Sequence, residues 1–141
     1  MPDIVNKMSE AEADYIRRVW TTNTVQRDTE RNVNGLAAFC HASSVIPGWW
    51  DKPRNPGELI ALMHSELSEA LEGIRKDAQD DHLPEFKSVE VELAYALIRI
   101  FDYAGAANLL LGEAFVAKLA YNAQRADHKR ENRAKVGGKA F

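Results

Sequence analysis

Apolar residues recur along this chain at the three-to-four-residue spacing of helices, and no run of alternating β-branched residues marks a strand. Ser9 followed by Glu12 has capping-box spacing, and Tyr15, Ile16 and Val19 continue the period, so a first helix is expected from about Glu10, weakening across Thr21, Thr22, Asn23 and Thr24. A second helix is predicted over 27–44, with Val33, Leu36, Ala37 and Cys40 on its apolar side, Phe39 as a further candidate there, and Gly35 lowering its propensity. Pro47-Gly48 interrupts the pattern, and Trp49 and Trp50 then fall in a loop. Asn55-Pro56-Gly57-Glu58 is a strong helix start, since Asn caps, Pro suits the first helical position and Glu58 has capping-box spacing; the helix should reach Lys76. Residues 77–87 read as a polar loop. Ser88 is placed to cap a helix over 89–104 that Gly105 would end, and a last helix is expected over 112–126. The pattern predicts an all-α protein.

Length and charge narrow the class. The 141 residues, 45% hydrophobic and 28% charged, suit one domain of ordinary size. The pattern divides it into a helical extension over 1–32, a helical core over 33–126 and a tail over 127–141, where five basic residues face only Asp127 and Glu131. A net charge of -3 argues against a dedicated nucleic-acid binder, although the tail is basic. The single cysteine, Cys40, excludes an internal disulfide and a Cys-based zinc site and reads as a small core residue. No stretch approaches the ~18 apolar residues of a membrane span, and residues 1–10 lack the apolar core of a secretory signal, so the expected location is the cytoplasm.

The carboxylates carry the chemical signal. At about 100° per residue, Leu59, Leu62, Met63, Leu67, Ala70, Leu71 and Ile74 form one apolar arc on the third helix. Glu66 falls inside that arc, and Glu69 on its rim about 4.5 Å further along the axis. Gly73 leaves the same surface open beyond them. A carboxylate on a packing face is costly without a cation, which can be an Arg or Lys side chain or a divalent ion such as Mg2+. Glu72 points away and reads as solvated. The following helix is apolar around most of its circumference, with one polar stripe of Glu92, Tyr95, Arg99 and Asp102 that is either a solvated face or part of a site. Two carboxylate-bearing helices joined by a short loop suit an antiparallel pair sharing a metal. A ferritin-like iron site would need Glu-x-x-His, and none of His41, His64, His82 or His128 has a Glu three residues before it.

Over residues 33–130 the sequence resembles the MazG-like all-α nucleoside triphosphate pyrophosphohydrolases, whose pattern is Glu-Glu-x-x-Glu followed by Glu-x-x-Asp. Here the first element reads Ser65-Glu66-Leu67-Ser68-Glu69 and the second Glu92-Leu93-Ala94-Tyr95, with Ser65 replacing the leading Glu and Tyr95 the Asp. Further on, Lys118, Asn122 and Arg125 are similar to a Lys-x-x-x-Asn-x-x-Arg segment on the phosphate side.

The resemblance implies a helical bundle completed by dimer or tetramer formation, and Mg2+-dependent hydrolysis of a nucleoside triphosphate to monophosphate and pyrophosphate, with Mn2+ as an alternative ion. It implies that Glu66, Glu69 and Glu92 bind the metal or orient the attacking water, and that Lys118, Asn122 and Arg125 meet phosphates. Tyr95 is a poor Mg2+ ligand, since a phenol brings no carboxylate charge to the site. Trp49 or Trp50 could stack on a base or plug a helix interface. His41 reads as a structural or rim residue, and Tyr121 as a core candidate. A catalytically impaired relative that binds a nucleotide or a protein partner is the alternative that Tyr95 raises.

Overall fold

The computed structural model describes residues 8–125, and the expected basic tail lies outside them, as does the last residue of the final predicted helix. The described residues are helical in five segments: α1 (Glu10–Trp20), α2 (Asn23–Val45), α3 (Pro56–Lys76), α4 (Ser88–Ala106) and α5 (Leu111–Gln124). They fall into two compact units, one of Val33–Leu109 and one of Met8–Asn32 with 110–125, the first boundary lying within α2.

Local chemistry explains the helix ends. Ser9 and Glu12 form the expected capping box, with Glu12 Oε2 accepting from the Ser9 N–H at 2.8 Å. Helix α2 begins at Asn23, four residues before the predicted start. Thr21 and Thr22 donate their hydroxyls to Arg18 O and Val19 O at 2.7 and 2.8 Å, ending α1, while Thr22 O accepts from Gln26 N at 3.1 Å and opens α2. A polar first turn gives hydrophobic periodicity nothing to register. Asn55 caps α3 by accepting from the Gly57 N–H at 2.8 Å; Glu58 adds no bond to that cap.

The α3–α4 hairpin builds the site. Asp77 ends α3 in the left-handed region at φ 50°, and the chain then pairs briefly with itself, Gln79 bridging antiparallel to Lys87. Lys87 Nζ reaches Asp77 Oδ1 at 2.5 Å, and this exposed pair lowers the Asp77 pKa and raises that of Lys87, chiefly through the hydrogen bond itself. Lys87, not Ser88, is the N-cap of α4: its N–H is accepted by Glu90 Oε2 at 2.8 Å, while Ser88 is already helical. Gly105 does not end α4 either. The helix runs to Ala106, and a Cβ on Gly105 would lie 2.6 Å from both Ala37 O and His41 Cβ, so the glycine permits close approach of α2 and α4.

The core of this unit is made of small or slender residues: Ala37 and Cys40 on α2, Leu59, Met63 and Ala70 on α3, Ala96 and Ala104 on α4. Burial and the charge of Asp102 raise the Cys40 pKa, which suits the expected core role. The apolar arcs are wider than the surface the fold covers. Leu67, Leu71 and Ile74 on α3, and Leu93, Leu97 and Ile98 on α4, are exposed, so α4 is not enclosed on several sides as its composition suggested. Gly73 does not face open space: a Cβ there would meet Ser88 Oγ at 2.7 Å, because the start of α4 crosses at that point. Among the described residues, no single helix is long and apolar enough to cross a membrane.

Candidate metal centre

Glu66 is 4% exposed, the most buried charged side chain of its helix. From the same face Glu69 follows one turn later, and Glu92 projects from α4 across the hairpin. One carboxylate oxygen from each of the three lies within 4.8 Å of the others, so residues from two helices converge as the sequence predicted. Three like charges at this separation repel unless a cation lies among them. Glu92 registers the conflict: burial first, then its hydrogen bond with Glu66 and the charges of Glu69, Glu66 and Asp80, push its pKa above the usual carboxylate value. Such a cluster of hard oxygen donors can hold a divalent cation.

One internal cation is already present. Arg99, two turns beyond Glu92 on α4, donates from Nε to Glu66 Oε1 at 2.6 Å. Both readings of Glu66 therefore meet in one place, since it is salt-bridged and also belongs to the cluster. Tyr95 lies between Glu92 and Arg99 in sequence, and its ring carries the Arg99 guanidinium 4.4 Å from the centroid. Ser65, at the position of the leading Glu, folds its hydroxyl back to Leu62 O at 2.7 Å.

Glu69 and Glu92 open onto a cavity of about 480 Å³ between the end of α3, the 77–87 loop and the start of α4. Its wall also carries Lys76, Asp80 and His82, none of which periodicity singled out. Asp80 was legible only as a loop signal, and it is held as a turn residue, accepting from the N–H groups of His82 and Leu83 at 2.9 and 2.8 Å.

The rest of the polar stripe on α4 is not a solvated face. Asp102 is buried at 8% exposure and uses Oδ1 to accept from Trp50 Nε1 at 2.8 Å and to meet His41 Nδ1 at 2.9 Å. The His41 and Trp50 rings also meet edge to face, with centroids 5.4 Å apart. Trp50 is thus tied down by α2 and α4, whereas Trp49 packs beneath Arg54, whose guanidinium lies 3.8 Å from its ring centroid and donates twice to Trp49 O.

Lys118 and Asn122 lie on α5, with Arg125 at its C-cap, all in the second compact unit. Lys118 and Arg125 lie 5.0 and 5.9 Å from the ring centroid of Tyr121, which is 59% exposed and not the core residue expected. Asn122 Oδ1 is buried and accepts no hydrogen bond from the described residues. A cavity of about 760 Å³ in this unit is lined mainly by apolar and small residues, including Ile16, Trp20 and Leu119, and bears no carboxylate cluster.

No protein-family model, no curated protein and no solved structure matches this chain.

Proposed function

We propose that this protein is a Mg2+-dependent nucleoside triphosphate pyrophosphohydrolase of the MazG-like kind, releasing monophosphate and pyrophosphate. The observation that carries the reading is the convergence of Glu66, Glu69 and Glu92 within 4.8 Å, one of them buried, beside a cavity large enough for part of a nucleotide. The three carboxylates fit a hard divalent ion, and a bound ion supplies Lewis-acid polarisation of a phosphoryl oxygen. Glu66, Glu69 and Glu92 would hold that ion or orient the attacking water. Lys118, Asn122 and Arg125 are assigned to phosphate by the sequence resemblance alone.

The exposed apolar rows of α3 and α4 favour a homo-oligomer, a dimer or tetramer that would cover them. A second reading, a non-catalytic nucleotide- or protein-binding relative, is favoured by Tyr95, which places an aromatic ring where the resemblance expects a fourth acid. Product analysis separates the two. Incubation with a panel of ribo- and deoxyribonucleoside triphosphates and Mg2+ or Mn2+ should yield monophosphate and pyrophosphate. Turnover only in Tyr95→Asp would mean that the scaffold is intact but this chain lacks a working metal site, and silence in both proteins would favour the binding role.

A further inference from the structure

We propose that Arg99 is a positioning residue of the carboxylate centre and that Tyr95 is the platform holding it, so that the centre takes a single divalent ion; this rests on the metal reading above. Glu66 gives Oε1 to Arg99 Nε at 2.6 Å, with side-chain exposures of 5% and 20%. A charge-assisted hydrogen bond so far out of water fixes the carboxylate rotation. The guanidinium is fixed in turn from its face, 4.4 Å from the Tyr95 centroid, by a residue one helical turn before it on α4.

The exchange of acid for aromatic at position 95 then has a physical reading. A carboxylate one turn before Arg99 would compete with Glu66 for the guanidinium N–H groups. A ring face attracts the same cation without occupying those donors, so Glu66 keeps its partner. Over the ligand set and its guanidinium alone, with Asp80 outside it, the charge is two negative, which one divalent ion matches.

The test uses the full chain and Mn2+ alone, with binding followed by isothermal titration calorimetry and by loss of the free-ion electron paramagnetic resonance signal. The wild type should bind one Mn2+ per chain, weakened by Glu69→Gln. Arg99→Met should bind roughly 10- to 100-fold more weakly, the usual cost of removing a residue that orients a ligand, and Arg99→Lys should recover part of that loss. Tyr95→Phe should bind like the wild type, because the ring face survives, and Tyr95→Leu several-fold more weakly. Circular dichroism checks the fold, and if Arg99→Met does not fold, the two Tyr95 variants decide alone. Binding of Arg99→Met as tight as wild type or tighter would make Arg99 a competing counter-ion and overturn the proposal. So would two ions per chain, or equal losses in Tyr95→Phe and Tyr95→Leu, which would make the phenol oxygen a ligand. A wild type that takes up no Mn2+ overturns the metal reading itself, whereas Glu69-dependent binding indifferent to Arg99 and Tyr95 overturns this inference alone.

Discussion

Glu66 and Asp102 are both buried carboxylates in the same compact unit, on neighbouring helices, yet their surroundings differ in kind. Asp102 meets one indole N–H and one imidazole nitrogen, and it joins α2, α4 and the loop carrying Trp50. Glu66 meets one guanidinium and two further carboxylates. An acid whose Oδ1 is met from two other segments is a strut. An acid crowded by other acids costs stability unless a cation joins it, and Arg99 is one cation for three carboxylates.

The sharpest way to break this comparison is to neutralise each acid in turn. Glu66→Gln should reduce Mg2+-dependent turnover to background while the helices remain folded by circular dichroism, because it removes a ligand charge without changing shape. An unchanged rate would take Glu66 out of the site. Asp102→Ala should act in the opposite sense, lowering stability by about 2–5 kcal/mol in denaturant melts, since the Trp50 and His41 donors lose their buried acceptor. A loss under about 0.5 kcal/mol would show that water satisfies those donors as well as Asp102 does.

The two acids were not equally legible in the sequence. Glu66 could be found because helical periodicity fixes which face a residue occupies, and one charge inside an apolar arc stands out. Glu69 followed from spacing on the same helix, whereas Glu92 was singled out from its polar stripe by the family resemblance. Asp102 could not be read the same way. Its partners lie 61 and 52 residues away in the chain, and periodicity along one helix is silent about which distant element packs against it. The same limit explains Gly73, placed on the right face but expected to leave it open, when α4 returns across it. It also explains Leu67, Leu71 and Ile74: the pattern marks a face able to be buried, and within the described chain nothing large enough covers it.

The helix of each acid carries a glycine further along that lets another segment approach, and these sharpen the comparison at a smaller scale. Gly105→Ala would drive a Cβ to 2.6 Å from the Ala37 carbonyl oxygen, against backbone that cannot swing away, and should cost about 1–3 kcal/mol. Gly73→Ala meets the Ser88 side chain at 2.7 Å and the Val89 nitrogen at 3.1 Å, next to the start of the helix that carries Glu92. Its stability loss should be of similar size, but only Gly73→Ala should also weaken Mn2+ binding, because it spreads the hairpin whose two sides supply the carboxylates. Equal weakening of Mn2+ binding in both variants would mean that the two regions are one mechanical unit.

The smallest effect, and the one that isolates the electrostatics, is the pH dependence carried by Glu92. Burial and its acidic neighbours raise its pKa in the folded chain above the ordinary 4.5, so between that value and the raised one the folded protein holds a proton that the unfolded chain has released. Stability of the metal-free protein should therefore fall as pH rises through this interval, with the loss complete once Glu92 is ionised in the folded state. Glu92→Gln should flatten that part of the profile and melt slightly higher than wild type at neutral pH, since a neutral amide removes the repulsion and can donate to Glu66. Adding Mn2+ should invert the order, because an ion that binds only the folded state stabilises the protein with the intact carboxylate set more than the variant. Thermal melts of both proteins across pH, with and without Mn2+, measure this directly; parallel profiles without the ion would mean that the three carboxylates are far enough apart in solution for water to screen them.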